Sequence, residues 1–191
     1  MKVTLLFITL FLTPAVAVAQ PWDPPVVELR GAAGFSDYLH GDIEGIAPSF
    51  RTAVRIGPSR FAIEPEFVFA QLRTTPFQSP SATVTSTRRF QSLGVNAIAR
   101  WPHRRFSPYA GGGVGMYSEH RRTVTESPGN TFVTEFEGGP RGGVQALGGL
   151  DVWVYSRVSV FAEMRYEMRS FADPGGGSVV QGFGGVVIKL R

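Results

Sequence analysis

The sequence predicts an all-β fold, an eight-stranded antiparallel up-and-down transmembrane β-barrel, and three observations predict it. Apolar and polar residues alternate with period two through eight segments, each of about 9 to 12 residues, the length a tilted strand needs to cross a bilayer. The apolar face of each segment is continuous while the opposite face carries Arg and Glu, as in a barrel whose exterior meets lipid. The connections alternate between tight turns of a few residues and longer polar loops, the plan of an outer-membrane barrel with both termini on the short-turn side.

The chain begins with Lys2, an apolar run from Val3 to Leu12, and Ala17-Val18-Ala19 before Gln20. Positive start, greasy middle and small-residue end read as a signal peptide over residues 1–19, with Ala17, Ala19 and Gln20 marking the cleavage site. Pro14 and the short run argue against a permanent membrane helix. The barrel domain is then residues 20–191. There is no Cys among the 191 residues. No disulfide framework is therefore available, and the fold must rest on hydrogen bonds and packing. The 23 Gly and 15 Phe favour strands and turns over helices. Net charge is +4, one less once Lys2 leaves, and the basic residues are interspersed with acidic ones. Nucleic-acid binding, which wants a basic patch, is excluded on that ground.

The first strand, Val27 to Phe35, sets Val27, Leu29, Ala33 and Phe35 against Glu28 and Arg30. The second, Phe50 to Ile56, sets Phe50, Val54 and Ile56 against Arg51 and Arg55, and Gly57-Pro58-Ser59-Arg60 turns the chain. The third, Phe61 to Leu72, opposes Phe61, Ile63, Phe67 and Phe69 to Glu64 and Glu66. A hairpin here predicts Arg51 opposite Glu66 and Arg55 diagonal to Glu64. The fourth, Gln91 to Trp101, sets Leu93, Val95 and Trp101 against Asn96 and Arg100; the fifth, Phe106 to Tyr117, sets Val114 and Met116 against Tyr109, Tyr117 and glycines. The sixth runs from Gly142 to Tyr155 with Asp151 on its polar side. The seventh, Val158 to Met168, alternates without a break, Val160, Met164 and Tyr166 against Glu163, Arg165, Glu167 and Arg169. The eighth is Val179 to Leu190.

Long loops are expected at Tyr38–Ser49, Arg73–Arg88, Ser118–Arg141 and Ser170–Ser178. Alternation of Thr131, Val133, Glu135 and Glu137 with Phe132, Thr134 and Phe136 favours reading the third of these as two strand extensions above the membrane over an adhesive loop, though both can hold. Trp101, Phe106, Trp153 and Tyr155 fall at short-turn ends, where an aromatic girdle meets headgroups.

The segments PYAGGGVGMY (108–117) and SVFAEMRYEMRS (159–170) resemble parts of the OmpA-like and OmpX-like outer-membrane β-barrel superfamily, a resemblance covering most of residues 25–190. It implies residence in the cell outer membrane of a Gram-negative bacterium. Its implied partners are outer-membrane lipid, lipopolysaccharide and the barrel-insertion machinery. Members commonly end in an aromatic residue, whereas here the last residues are Ile188-Lys189-Leu190-Arg191.

Twelve charges are expected in the lumen: Glu28, Arg30, Arg51, Arg55, Glu64, Glu66, Arg100, Asp151, Glu163, Arg165, Glu167 and Arg169. An eight-stranded barrel is just wide enough for its own side chains, so a paired plug is favoured over an ion path. Gly111–Gly113 with Gly115, and Gly142-Gly143 with Gly148-Gly149, lack the spacing of a nucleotide loop and read as room for neighbouring aromatics. His40, His103 and His120 are the three histidines; His120 beside Glu119 and Ser118 is the one hydrolytic constellation to weigh, as in lipid A-modifying barrels. Neighbours along one segment rarely converge, so no enzyme activity, no cofactor and no metal are expected. The reading is a monomer with a structural or surface-interaction role; the runner-up is a narrow porin-like channel, and a soluble lipid-binding barrel would need the opposite polarity.

Overall fold

The computed structural model describes residues 25–39, 45–73, 77–79, 81–169 and 177–190. The proposed cleavage residues Ala17, Ala19 and Gln20, together with His40 and most of the 170–178 loop, lie outside them. The strands are β1 (Val26–Tyr38), β2 (Gly45–Gly57), β3 (Phe61–Arg73), β4 (Phe77–Ser79), β5 (Ala82–Arg100), β6 (Phe106–Ser127), β7 (Asn130–Trp153), β8 (Val158–Arg169) and β9 (Ser178–Lys189). Eight of them close a ring in chain order: β5 pairs with β3 and β9 with β1, every pairing antiparallel, while β4 adds only a short arm on β5. Ring closure removes the unpaired edges that an open sheet would leave in lipid.

Strict alternation in the sequence becomes strict alternation of burial. Along β8 every second residue from Ser159 to Arg169 is buried and every intervening one exposed. The exposed set is oily: Leu93 is 65% exposed, Val114 64%, Ile63 59% and Met164 52%. The buried set is polar, with Arg55 and Glu64 both at 0%. In water this distribution would forfeit the hydrophobic driving force; in a bilayer it satisfies both solvents, because lipid covers the apolar belt. Length agrees: the 12 residues of β8, at about 3.3 Å each and a tilt near 45°, span about 28 Å, close to the hydrocarbon thickness.

Short turns join β2 to β3, β5 to β6 and β7 to β8. In the second, Arg104 has φ 50°, a left-handed position bracketed by mutual backbone hydrogen bonds between His103 and Phe106 at 2.7 and 2.8 Å. At the other end β6 and β7 run on as one ladder to a turn at 128–129, where Gly129 takes φ 85°.

Four expectations need correction. Residues 82–88, read as part of a loop, are strand, while 118–127 and 130–141 take the strand-extension form that the alternation favours: β5, β6 and β7 are 19, 22 and 24 residues long, and a three-stranded sheet stands beyond the ring. β1 and β2 likewise continue to Tyr38 and from Gly45. In the β5 extension Thr, Ser and Arg occupy both faces, so period two carried no signal there. The β2–β3 register is offset by two: Arg51 faces Val68 and Glu66 faces Ala53. β7 ends at Trp153, and Tyr155 belongs to the turn.

Candidate functional sites in the lumen and at the rims

All twelve expected charges are 8% exposed or less. Six are arginines and six are carboxylates, so these twelve balance in formal charge; Arg88, a seventh buried arginine, lies 3.7 Å from Glu119. β1, β2, β3 and β8 supply ten of the twelve, because their inward positions alternate long charged residues; β5 adds Arg100 and β7 adds Asp151.

The central layer is a continuous network. Arg30 grips Asp151 with two nitrogens, at 2.9 and 3.2 Å, and also donates to the Tyr109 hydroxyl at 2.9 Å. That hydroxyl in turn donates to Glu163 at 2.8 Å. Arg55 donates to Glu64 at 2.7 Å and lies 4.3 Å from the Tyr109 ring centre. Arg51 bridges Glu64 and Glu66, the latter at 2.8 Å. Arg165 joins Glu163 to both oxygens of Glu66. The Arg51–Glu66 contact therefore exists across the diagonal and not between directly opposed residues. Gln145 donates to Glu66 at 2.7 Å and to Asn96 at 2.6 Å. Charge-assisted bonds of this kind offset the desolvation that a lone buried ion would suffer.

Toward the short turns, Arg100 donates to Glu28 at 2.8 Å and to the Pro58 carbonyl at 2.9 Å. Toward the long strands Tyr38, Ala47, Ala70, Leu72, Phe90 and Val179 form one buried apolar cluster, bordered by the hydrogen-bonded Ser36, Ser49 and Gln181. Arg169 sits beneath it, bonded to Glu167 at 3.1 Å and facing the rings of Tyr38, Phe90 and Tyr117 at 4.9 to 5.4 Å. The plug thus has a charged middle and a greasy upper closure.

The opposite wall makes room. A Cβ on Gly113 would lie 2.2 Å from the Asn96 oxygen, on Gly149 2.5 Å from the Tyr109 hydroxyl, and on Gly185 2.7 Å from the Phe161 ring. Gly94, Gly115 and Gly143 line up across β5, β6 and β7 at the level of Glu66. These glycines are spatial complements of the Arg and Glu rows. Tyr109, Gln145, Asn96 and Phe161, whose ring stacks 4.1 Å from the Arg30 guanidinium, were missing from the sequence-derived network. Their inward parity could have flagged them, since each alternates with an oily neighbour.

At the short-turn rim Trp101, Phe106 and Tyr155 are exposed at 58, 52 and 73%. Trp153 is different: it pairs with buried Ser159 and shares the parity of Asp151, so it stands half-buried at the lumen mouth. In the protruding sheet, Phe77, Val84, Thr125 and Phe132 follow one another across four strands in a single row. Phe77 and Phe132 are 68 and 62% exposed there. Glu119 and His120 fall on opposite faces of β6: Glu119 approaches Arg88 at 3.7 Å, His120 approaches Glu137 at 3.4 Å. Strand alternation therefore keeps that triplet from assembling as a catalytic group.

No family model and no curated protein matches the sequence. Solved structures do match the fold. Neisserial surface protein A superposes with TM-score 0.60 at 15% identity, over 87% of this chain and 97% of that one. Ail, the attachment invasion locus protein of Yersinia pestis, gives TM-score 0.51 at 13% identity over 88% of this chain and 99% of that chain. Its complex with the heparin analogue sucrose octasulfate gives 0.53 at 12%, over 87% and 97%. The architecture shared with these outer-membrane proteins is an eight-stranded antiparallel up-and-down β-barrel.

Proposed function

We propose that this chain serves the cell outer membrane as a small structural or surface-interacting protein, exported by a signal peptide over residues 1–19 and working as a non-conducting monomer without enzymatic activity. The observation that carries the reading is the lumen: six arginines and six carboxylates, all buried, lie under an apolar closure. An ion would have to displace hydrogen-bonded charges and then pass the packed side chains of Tyr38, Leu72, Phe90 and Val179. What remains available for work is the outside. The apolar belt faces outer-membrane lipid and lipopolysaccharide, and is the surface the insertion machinery would handle. The sheet formed by β4 and the ends of β5, β6 and β7 holds Phe77, Phe132 and Phe136 exposed, on hydrogen-bonded backbone.

Single-channel recording in planar bilayers decides between this reading and a narrow pore. A plugged lumen gives no stable openings at moderate voltage; reproducible unitary conductance steps would replace it with the channel.

A further inference from the structure

Among the described residues the three short turns carry charge of one sign only. The three turns contain Arg60, His103, Arg104, Arg105 and Arg157 and no acidic residue. All five are exposed, and Lys189 beside them is half-buried. The nearest described carboxylates along the chain, Glu28, Glu64 and Asp151, are buried in the lumen and already bonded there; Asp23 lies outside the described residues. Among the described residues Arg60, Arg104, Arg105, Arg157 and Lys189 have no ion-pair partner, whereas the opposite end is mixed, with Arg122 against Glu135 and His120 against Glu137.

Backbone hydrogen bonds set these cations along one arc. The Arg60 carbonyl accepts from Arg100 at 2.8 Å, beside the turn that holds Arg104 and Arg105. The Arg105 carbonyl accepts from Trp153 at 2.8 Å, and the Arg157 carbonyl from Lys189 at 2.8 Å. The arc therefore runs from the β2–β3 turn through the β5–β6 and β7–β8 turns to the end of β9. Its depth is fixed by its neighbours: Trp101, Phe106 and Tyr155, exposed in the same turns, are residue types that settle at headgroup level.

We propose that this arc is a binding surface for anionic glycerophospholipid headgroups in the leaflet that meets the short turns. Unpaired, like-charged guanidinium groups at one depth repel one another until an anion lies between them, and the phosphate of a lipid is the anion available at that depth. A soluble acidic partner would find the same charge. The interleaved exposed aromatics favour lipid, because they place the cations in the interface and not clear of it. The inference rests on the membrane reading and goes beyond it by naming the lipid class and the residues that select it.

The test is electron paramagnetic resonance of spin-labelled phosphatidylglycerol and phosphatidylcholine, each in turn, with the protein refolded into phosphatidylcholine vesicles. Wild-type protein should hold phosphatidylglycerol in its motionally restricted shell about threefold or more over phosphatidylcholine at low salt, and 0.5 M NaCl should erase most of that preference. The variant R60Q/R104N/R105Q/R157Q should bring the ratio to about one, while R89Q/R122Q at the other end leaves it unchanged. Should the fourfold variant not fold, R104N/R105Q alone should lower the ratio part of the way. Equal association of the two lipids with the wild type, or a preference that survives the rim substitutions, overturns the inference. Absence of any restricted lipid component is a different result, and would strike the membrane reading itself.

Discussion

Arg165 offers the sharpest probe of the plug. Its side chain has no solvent exposure, and it bonds Glu163 and both oxygens of Glu66. Replacing it with Met keeps the length and removes the charge. Arg51 is then the one cation left on Glu66 and Glu163, at 3.6 Å from the latter, while Glu64 keeps Arg30 and Arg55 as well. Breaking a buried pair from one side costs about 3–5 kcal/mol. Glu163→Gln should cost less, about 1.5–3 kcal/mol, since Arg165 keeps Glu66. The double variant restores neutrality, so its cost should fall short of the sum of the singles by about 1–3 kcal/mol. Urea unfolding in vesicles, followed by gel mobility of unheated samples, reads these differences as midpoint shifts on the order of 1 M or more for Arg165→Met. If each single substitution costs under about 1 kcal/mol and the double is additive, the interior is hydrated and screened, and the plug account fails.

Two further substitutions test the packing around that network. Gly149→Ala puts a methyl against the Tyr109 hydroxyl and the Ala162 carbonyl, at 2.5 and 2.6 Å. It should destabilise by about 1–3 kcal/mol, while Gly142→Ala, with nothing within 4 Å, should leave the urea midpoint in place. Tyr109→Phe removes the hydroxyl that links Arg30 to Glu163, and should cost about 1–3 kcal/mol by the same measurement; a midpoint equal to wild type would remove Tyr109 from the network.

How much of this was legible varies along the chain for physical reasons. β8 could be read residue by residue, because each oily position from Val160 to Met168 is followed by a charged one or Phe161, and only one parity puts the charges together. The lumen charge set followed from that parity. Register did not. An arginine is long enough to reach a carboxylate either straight across or along the diagonal, so Arg51 and Glu66 could meet in two offsets; the structure takes the one that also places Arg55 on Glu64. The extension of β5 was hidden because Thr, Ser and Arg occupy both faces once the strand leaves lipid, whereas the alternation over 131–137 favours the strand extensions that β6 and β7 form. Trp153 misled because an aromatic at a strand end looks alike on either parity. Tyr109 was seen but counted as bulk to be accommodated, when its hydroxyl is a junction of the network. The basic rim was present in the turns as Arg60, Arg104, Arg105 and Arg157, and became visible as one surface only when the backbone brought those turns to a common level.

Which side of the barrel wall meets lipid can be measured directly. The native chain has no cysteine, so single cysteines at Val160, Met164 and Phe132 can each carry one fluorophore in the refolded protein. Nitroxides placed along lipid acyl chains should quench the labels at 160 and 164 strongly and the label at 132 hardly at all. Quenching of 160 and 164 by aqueous iodide, with indifference to lipid nitroxide, would mean that water and not bilayer covers the apolar belt.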